Sequence, residues 1–240
     1  MTSERTRVLL WTYLPGLVLM AGGLLVFGKM LDDVREGDDF AAADQAVLDW
    51  LVANRSPWMT NVLAAITFVT GPTVLPILVF LACAGWWWWR REWWRPVLLA
   101  GAMIGSTLLG VVVKDLVGRP RPPEDTMHIP GAEHSASFPS GHTLGTATLL
   151  LVAGYLVCSR RRSTARLVGW GVLTVVGTVL VAVSRLYLGY HFLTDVIAAI
   201  GLAVAVLGAV SIVDRIHTGP PTASSDGRSA DPAVVVPGNG

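Results

Sequence analysis

Two long apolar runs of the chain meet at the segment Ser184-Arg-Leu-Tyr-Leu-Gly-Tyr-His-Phe-Leu-Thr-Asp195. Charged side chains between such runs are energetically costly in a membrane, and they occur there mainly where they serve a function. If a helix begins near His191, Asp195 lies four residues on, on the same face. The carboxylate can then accept the proton of one ring nitrogen of His191 and leave the other nitrogen free for a substrate. Arg185, across a short turn, supplies a planar fork for an oxyanion.

The composition predicts an integral membrane protein. Of the 240 residues, 52% are hydrophobic and 15% are charged, whereas soluble domains carry about 25% charged residues. The net charge of +1 does not indicate a polyanionic partner, and no nucleic-acid or dinucleotide motif is present. Cys83 and Cys158 both lie in apolar runs, which favours packing over a disulfide or a metal site.

Six apolar runs are long enough to cross a bilayer, which takes about 20 residues each. We therefore predict an all-α polytopic membrane protein with six transmembrane helices in a bundle. The predicted spans are Val8–Gly28, Val62–Ala84, Val97–Val117, Gly141–Cys158, Leu167–Leu188 and Phe192–Val213. They form one membrane domain over residues 1–217, and the Gly-, Pro- and Ser-rich stretch 218–240 predicts a disordered cytoplasmic tail.

The Lys and Arg residues predict the orientation, because cytoplasmic connections are enriched in them. When alternate connections are counted, one side holds eleven of the 18: Arg5, Arg7, Arg90, Arg91, Arg95, Arg160, Arg161, Arg162, Arg166, Arg215 and Arg228. The other side holds Lys29, Arg35, Arg55, Lys114, Arg119, Arg121 and Arg185. We therefore predict a multi-pass protein of the cell membrane, with both termini in the cytoplasm and the motif side facing outward.

The stretch between the first two spans predicts a short amphipathic helix on the outer membrane surface. Asp39 is placed to cap this helix. Phe40, Val47, Trp50 and Leu51 share one of its faces at helical spacing. A lid over the site is an alternative role for the same helix.

Polar segments lie at the outward ends of the last four spans. The third span ends in Lys114-Asp-Leu-Val-Gly-Arg-Pro-Arg-Pro122, in which the glycine and the prolines stop the helix. The fourth span begins at Pro139-Ser-Gly-His142, the fifth ends at Ser184-Arg185, and the sixth starts at His191. All four segments are therefore predicted to lie on one face of the membrane.

These segments predict a phosphate site. Lys114, Arg121 and Arg185 bring three positive charges together near the bilayer surface, which is tolerable only if an anion compensates them. Ser140 can cap the fourth helix, and Gly141 allows the backbone to approach a ligand closely. The start of that helix then offers amide donors and a positive dipole end to a phosphate.

Two histidines remain for the chemistry. His191 is predicted to attack phosphorus, with Asp195 stabilising the cation that results. His142 is placed to protonate the leaving oxygen and later to deprotonate the attacking water. The reaction is two displacements through a phosphohistidine. No metal or other cofactor is needed, since three cationic side chains and backbone amides stabilise the equatorial oxygens.

Simpler interpretations of these residues stay open. His191 and Asp195 also fit a hydrogen-bonded pair without chemistry, and Lys114 fits a side chain that reaches from a helix end to the surface. We interpret Arg119 as a surface or headgroup contact. The loop that follows holds several possible metal ligands, but their spacing fits no ligand template: Glu124, Asp125, His128, Glu133 and His134.

Three segments resemble, in order and spacing, the signature of the type-2 phosphatidic acid phosphatase family: Lys114-x6-Arg121-Pro122, Pro139-Ser-Gly-His142 and Ser184-Arg185-x5-His191-x3-Asp195. That family includes lipid phosphate phosphatases and is similar to vanadium haloperoxidases at its active site. The resemblance implies that His191 is the nucleophile, Asp195 its partner and His142 the general acid. It also implies that the phosphate is bound by Lys114, Arg121, Ser140, Gly141 and Arg185.

Residues and resemblance together predict an integral membrane lipid phosphatase that hydrolyses a phosphate monoester or diphosphate of a lipid at the outer face. Candidate substrates are polyprenyl diphosphate, phosphatidate and phosphatidylglycerol phosphate, with the first favoured by family analogy. A lipid phosphotransferase would use the same site with an alcohol as acceptor. A noncatalytic anion-binding membrane protein is a third hypothesis, although binding alone requires neither a nucleophile nor an acid. The oligomeric state stays open.

Overall fold

The computed structural model describes residues 2–37, 39–159 and 163–219. The regular secondary structure of these residues is entirely helical, with no strand. The α-helices of this described part, numbered α1 to α8 in chain order, are Thr2–Glu36, Asp39–Ala53, Pro57–Val69, Val74–Arg90, Trp94–Val117, Gly141–Cys158, Thr164–Tyr187 and Leu193–Thr218. A short 3-10 helix, Glu124–Thr126, lies in the loop between α5 and α6.

The helices confirm a polytopic membrane architecture. Across the described ranges, five helices are long and apolar enough to cross a membrane, namely α1 from Trp11 onward, α5, α6, α7 and α8. The pair α3 and α4, bent by 52°, makes a sixth crossing when it is taken as one broken span. The first span continues beyond its predicted end at Gly28, since α1 reaches Glu36.

The second span, predicted as one helix over Val62–Ala84 with kinks at Pro72 and Pro76, is broken. The break covers residues 70–73, between α3 and α4. Pro72 has no N–H for a helical hydrogen bond, and its ring disfavours the helical conformation at Gly71. A Cβ built on Gly71 would lie 3.5 Å from Nε2 of His142. The break therefore lies next to the polar segments at the ends of the other spans.

Helix α1 packs along α8 through four glycines, Gly16, Gly23, Gly201 and Gly208, which we call the glycine seam. A Cβ on Gly23 would overlap the carbonyl oxygen of Gly201, and a Cβ on Gly208 would lie 2.5 Å from that of Gly16. Small residues let helix backbones approach closely in a membrane, where association depends on packing contacts. The seam fixes the helix that follows His191 against α1.

The apolar face predicted for α2 is partly exposed, and the most buried residues of the helix lie elsewhere on it. Trp50 is 65% exposed, whereas Asp44 and Leu48, one helical turn apart, are each 2% exposed. Asp44 can be buried because it has charged and polar partners on other elements. The spacing of apolar residues in α2 gives no sign of such partners. The side chains of Asp39 and Phe40, on which the predicted cap and part of the predicted face depend, lie outside the described part. The position of α2 at the membrane surface stays a prediction.

The predicted tail falls mostly outside the described residues. Helix α8 ends at Thr218, and residues 220–240 are not among those described. The same holds for Arg160, Arg161 and Arg162, on which the predicted orientation partly depends. The domain boundary and the disordered tail therefore stay predictions.

Candidate active site

Segments from four helices meet at one end of the bundle: the end of α5 with its loop, the start of α6, the end of α7 and the start of α8. Gly118 ends α5 in the left-handed conformation (φ 62°), and its N–H donates to the carbonyl of Lys114 at 2.9 Å. Gly189, also left-handed (φ 75°), turns the chain from α7 toward α8. A Cβ on Gly189 would overlap the carbonyl of Thr126. The loop after α5 therefore packs directly on the turn that carries His191.

The contact between His191 and Asp195 exists, but His191 lies before α8 rather than in it. Helix α8 begins at Leu193, with Phe192 as its N-cap, so a helix does start near His191 as predicted, but the histidine lies just outside it. Asp195 accepts the N–H of Phe192 at 2.9 Å through Oδ2, and the same oxygen lies 3.2 Å from Nδ1 of His191. Such a carboxylate satisfies a backbone donor at the start of a helix. A capping turn, not a helical face, therefore brings the pair together in a buried position.

Ser137 is a further partner of the pair that sequence reasoning did not identify. Its hydroxyl donates to Oδ2 of Asp195 and lies 3.4 Å from Nδ1 of His191. Its N–H donates to the carbonyl of Arg119 at 2.9 Å, which fixes this part of the loop. A single serine in a loop carries no sequence signal for such a contact, because the contact depends on how the loop folds.

The second ring nitrogen of His191 faces Arg121. Nε2 lies 3.3 Å from Nη1 of Arg121, and a guanidinium can only donate. Nε2 is therefore unprotonated and its lone pair accepts from Arg121, whereas Nδ1 carries the proton toward Asp195. Burial lowers the pKa of His191 to about 4, and the charge of Arg185 acts in the same direction, whereas the hydrogen bond to Asp195 opposes the shift. The imidazole is therefore neutral at pH 7.

Glu133 lies between two of the arginines predicted to bind phosphate. Its Oε1 accepts from Nη2 of Arg185, and its Oε2 accepts from Nη2 of Arg121 at 3.1 Å. Burial alone would raise the pKa of Glu133, but the charges of Arg185 and Arg121 hold that pKa below its usual value. Nε of the buried Arg185 has no hydrogen-bond partner among the described residues, although buried polar groups nearly always have one. An anionic group thus already lies at the predicted phosphate position.

Lys114 and the start of α6 border the same space. Nζ of Lys114 donates to the carbonyl of Ala136. Ser140 is buried at the N-cap position of α6, but its hydroxyl contacts Oγ1 of Thr143 at 3.1 Å instead of capping the backbone. A Cβ on Gly141 would meet no atom within 4 Å. The first turn of α6 therefore faces open space.

Both histidines open onto one cavity of about 250 Å³. Its polar end is lined by Lys114, Arg121, Glu133, Gly141, His142 and His191. Its other end lies between α4, α5 and α6 beside the broken span, and is lined by Leu75, Pro76, Met103, Val111 and Leu144. Of the remaining predicted residues, Asp195 contacts His191 and Ser140 donates its N–H to the carbonyl of Asp195. The cavity therefore joins a charged site to an apolar groove.

Arg119 points inward, so its interpretation as a surface contact is wrong. Nη1 lies 2.5 Å from Oδ1 of Asp195 and 2.7 Å from Oγ1 of Thr194, and Nη2 lies 2.7 Å from Oδ2 of Asp44. Its Cζ lies 4.4 Å from the ring centre of Phe192. The sequence alternates arginine and proline here and does not show which arginine turns inward. The deciding partner, Asp44, is in a distant helix.

The possible metal ligands in the loop between α5 and α6 do not converge. Nowhere in the described part of the chain are three His, Cys, Asp or Glu side chains placed to hold one metal ion. His128 and His134 are exposed. Glu133 forms ion pairs with Arg121 and Arg185 instead.

Known proteins resemble this chain in both sequence and structure. The model of the PAP2 superfamily matches residues 95–216. Phosphatidylglycerophosphatase B of Bacillus subtilis (strain 168) is 32% identical over 182 residues, which cover 72% of this chain and 84% of the relative. The crystal structure of a transmembrane PAP2 type phosphatidylglycerolphosphate phosphatase from Bacillus subtilis superposes with a TM-score of 0.72 at 28% identity, covering 82% of this chain and 98% of that one. Aquifex aeolicus LpxE, at 20% identity and a TM-score of 0.53 over 71% of this chain, shares the fold.

Proposed function

Since this chain belongs to the PAP2 superfamily and is a membrane lipid phosphatase, we propose that it hydrolyses the phosphate monoester of a glycerophospholipid. Phosphatidylglycerol phosphate is the first candidate substrate, because the relative from Bacillus subtilis is a phosphatidylglycerophosphatase. This ranking replaces polyprenyl diphosphate, which family analogy alone placed first. Family membership also favours a hydrolase over the noncatalytic anion-binding hypothesis.

The proposal that the substrate is a lipid rests on one observation: the cavity has a charged end and an apolar end. His142 and His191 line the charged end, and Leu75, Met103 and Leu144 line the apolar end. A lipid phosphate has the same two parts, and binding sites combine apolar walls with a few placed polar groups. The phosphate can therefore reach the histidines while the start of the lipid chain lies along the apolar groove.

In the first proposed step, Nε2 of His191 attacks phosphorus. The new N–P bond forms as the bond between phosphorus and the lipid oxygen breaks, and that oxygen takes the electron pair. His142, protonated beside the bound phosphate, gives its proton to this oxygen, which leaves as the lipid alcohol. Asp195 stabilises the positive charge that develops on His191, because it accepts the proton of Nδ1.

In the second step, a water molecule replaces the lipid oxygen in the cavity. His142, now neutral, takes a proton from this water, whose oxygen attacks phosphorus as the N–P bond breaks. The electron pair of that bond returns to Nε2 of His191, and inorganic phosphate is released. Each residue thus returns to its starting protonation state.

Cations and backbone donors would stabilise the equatorial oxygens in both steps. Lys114, Arg121 and Arg185 supply the charges, and the first turn of α6 supplies N–H groups at Gly141 and His142 that precede its first helical hydrogen bond, from Leu144 to Ser140. Placed donors of this kind are commonly the largest catalytic term. Glu133 must leave the arginines before phosphate reaches them.

We also propose that the site faces outward, with both termini in the cytoplasm. The uneven distribution of Lys and Arg supports this orientation. A variant in which Cys83 and Cys158 are serine provides the test, with one new cysteine at Glu124 or at Ser163. In intact cells a membrane-impermeant maleimide should label Glu124→Cys and not Ser163→Cys. The reverse labelling would refute the orientation.

Phosphate release by the purified protein tests the activity. The panel contains phosphatidylglycerol phosphate, phosphatidate and polyprenyl diphosphate in mixed micelles with EDTA. His191→Ala should abolish release, whereas His128→Ala, a change at an exposed histidine of the loop between α5 and α6, should not alter it. Substrate labelled with ³²P and quenched in alkali should leave label on wild-type protein and none on His191→Ala. A normal rate in His191→Ala would exclude the covalent step.

A further inference from the structure

Asp44, in α2, contacts both Arg119 and the first turn of α8. Its Oδ1 accepts the N–H of Thr194 at 2.9 Å, and its Oδ2 accepts the hydroxyl of the same residue at 2.6 Å. The side chain of Asp44 is 3% exposed, and Thr194 is fully buried. A carboxylate from one helix therefore caps another helix, the one that carries Asp195. Asp44 lies outside the three signature segments, and Arg119 occupies one of the unspecified positions of the first.

The two oxygens of Asp195 have separate sets of partners. Oδ2 receives the contacts of Phe192, Ser137 and His191, whereas Oδ1 pairs with Arg119. Because both oxygens are held, the carboxylate cannot rotate about its own axis without breaking a charge-assisted hydrogen bond. Arg119 therefore fixes Asp195 from the side opposite His191.

Arg119 is also the shared positive charge of two buried carboxylates. Its Nη1 faces Asp195 and its Nη2 faces Asp44, and a buried carboxylate without a partner is costly. Without Arg119, no positive charge would offset the negative charge of Asp195. The carboxylate would then attract the proton of His191 more strongly. Without the charge of Asp44, Arg119 would neutralise Asp195 more completely. The two residues therefore act on His191 in opposite directions.

We propose that Arg119 and Asp44 are positioning residues, which fix the orientation of Asp195 and set how strongly it holds the proton of His191. The inference rests on the proposed function, in which His191 attacks through Nε2. Neither residue lines the cavity, and both act through Asp195. Helix α2 is thereby part of the catalytic unit, although it precedes the residues that match the family model.

Kinetics of matched variants provide the first test. In Arg119→Ala, kcat for phosphatidylglycerol phosphate should fall about 10- to 100-fold, and in Asp44→Asn about tenfold. Losses of this size are typical when a residue that orients a metal-binding histidine is mutated. KM should change little, because neither side chain touches the substrate. Arg119→Lys should restore part of kcat, since an ammonium lacks the fork that reaches both carboxylates. Asp49→Asn, at an exposed position of α2, is the control and should match the wild type.

The pKa of His191 provides a readout that a purely structural role would not change. It can be measured by NMR on protein labelled with ¹⁵N-histidine, with the signal assigned by His191→Ala. Arg119→Ala should raise this pKa by about one pH unit, whereas Asp44→Asn should not raise it. The other charged and titratable groups around His191 stay the same in all variants: Asp195 of α8, Arg185 of α7, His142 of α6, Lys114 of α5, and Arg121 and Glu133 of the loop.

The outcomes separate this inference from the proposed function. Wild-type kcat in both Arg119→Ala and Asp44→Asn, or a pKa of His191 that rises equally in both, would overturn the inference. If the wild type releases phosphate from no lipid in the panel, the proposed function fails. The NMR titration needs no turnover and then still decides whether Arg119 acts on His191. Asp44→Asn keeps the shape of the side chain, so it carries the test if Arg119→Ala does not fold.

Discussion

Replacing Glu133 by glutamine should make the enzyme bind free phosphate more tightly. In the structure the Glu133 carboxylate pairs with Arg185 and Arg121, the same guanidinium groups that are proposed to hold the substrate phosphate. A phosphate dianion must therefore displace a carboxylate before it binds. Glutamine has the same shape but no charge and only one acceptor oxygen for the two arginines, so phosphate should displace it at a lower cost.

The expected magnitude follows from the two hydrogen bonds that Glu133 accepts. Hydrogen bonds to charged groups contribute about 1.5–3 kcal/mol each, and neutral ones about 0.5–1.5 kcal/mol. The Glu133 side chain is 23% exposed, so solvent screening favours the lower values. In Glu133→Gln one of these bonds becomes a neutral one and the other is lost, because an amide nitrogen cannot accept from a guanidinium. A net difference of about 1.4 kcal/mol, at the low end of this range, corresponds to tenfold tighter phosphate binding.

The assay is competitive inhibition of lipid hydrolysis by inorganic phosphate and by vanadate at pH 7. Glu133→Gln should lower both inhibition constants about tenfold. Glu124→Gln, a change at an exposed glutamate of the same loop, should leave both constants unchanged. An unchanged or higher inhibition constant in Glu133→Gln would show that the carboxylate does not compete with phosphate for the arginines.

Two further predictions concern Arg185 and Gly189. Arg185→Lys should lower kcat/KM about 100-fold although the charge is kept, because an ammonium cannot replace the planar fork; initial rates at low substrate concentration measure this loss, and a wild-type value would argue against a bidentate contact. Gly189→Ala should lower the free energy of unfolding by about 1–3 kcal/mol, since the left-handed φ disfavours alanine and its Cβ would meet Thr126. Thermal unfolding in detergent checks this, with Gly28→Ala, where a Cβ meets no atom within 4 Å, as the control that should not lose stability.

The membrane spans, and the position of the polar segments at their ends, could be predicted from the sequence because both depend on local composition. A run of about 20 apolar residues specifies a crossing wherever it occurs in the chain, and helix ends marked by glycine and proline place the polar segments. For the second span the sequence indicated a kink at Pro72 but not the break found there. Proline within a transmembrane helix is often tolerated with a small kink, so the residue alone does not distinguish a kink from a break.

The surroundings of the site were less predictable, because they depend on contacts between residues far apart in the chain. Asp44 and Arg119 are 75 positions apart, and neither the helical period of α2 nor the loop after α5 indicates the other partner. Glu133 resembled a possible metal ligand until its arginine partners were known. For His191 and Asp195, the spacing gave the correct partners although His191 lies just before α8, because a capping turn and a helical turn place residues four apart at similar distances.

The glycine seam determines how much of the chain the catalytic pocket requires. A fragment limited to residues 95–216, the part that matches the family, would keep every signature side chain. It would lack α1, so the groove on α8 left by Gly201 and Gly208 would face lipid tails instead of a closely packed backbone. Asp195 would then project from a helix with no support on that side. The smallest autonomous unit of this enzyme therefore extends upstream to α1, and amino-terminal truncations should be placed before the seam begins at Gly16.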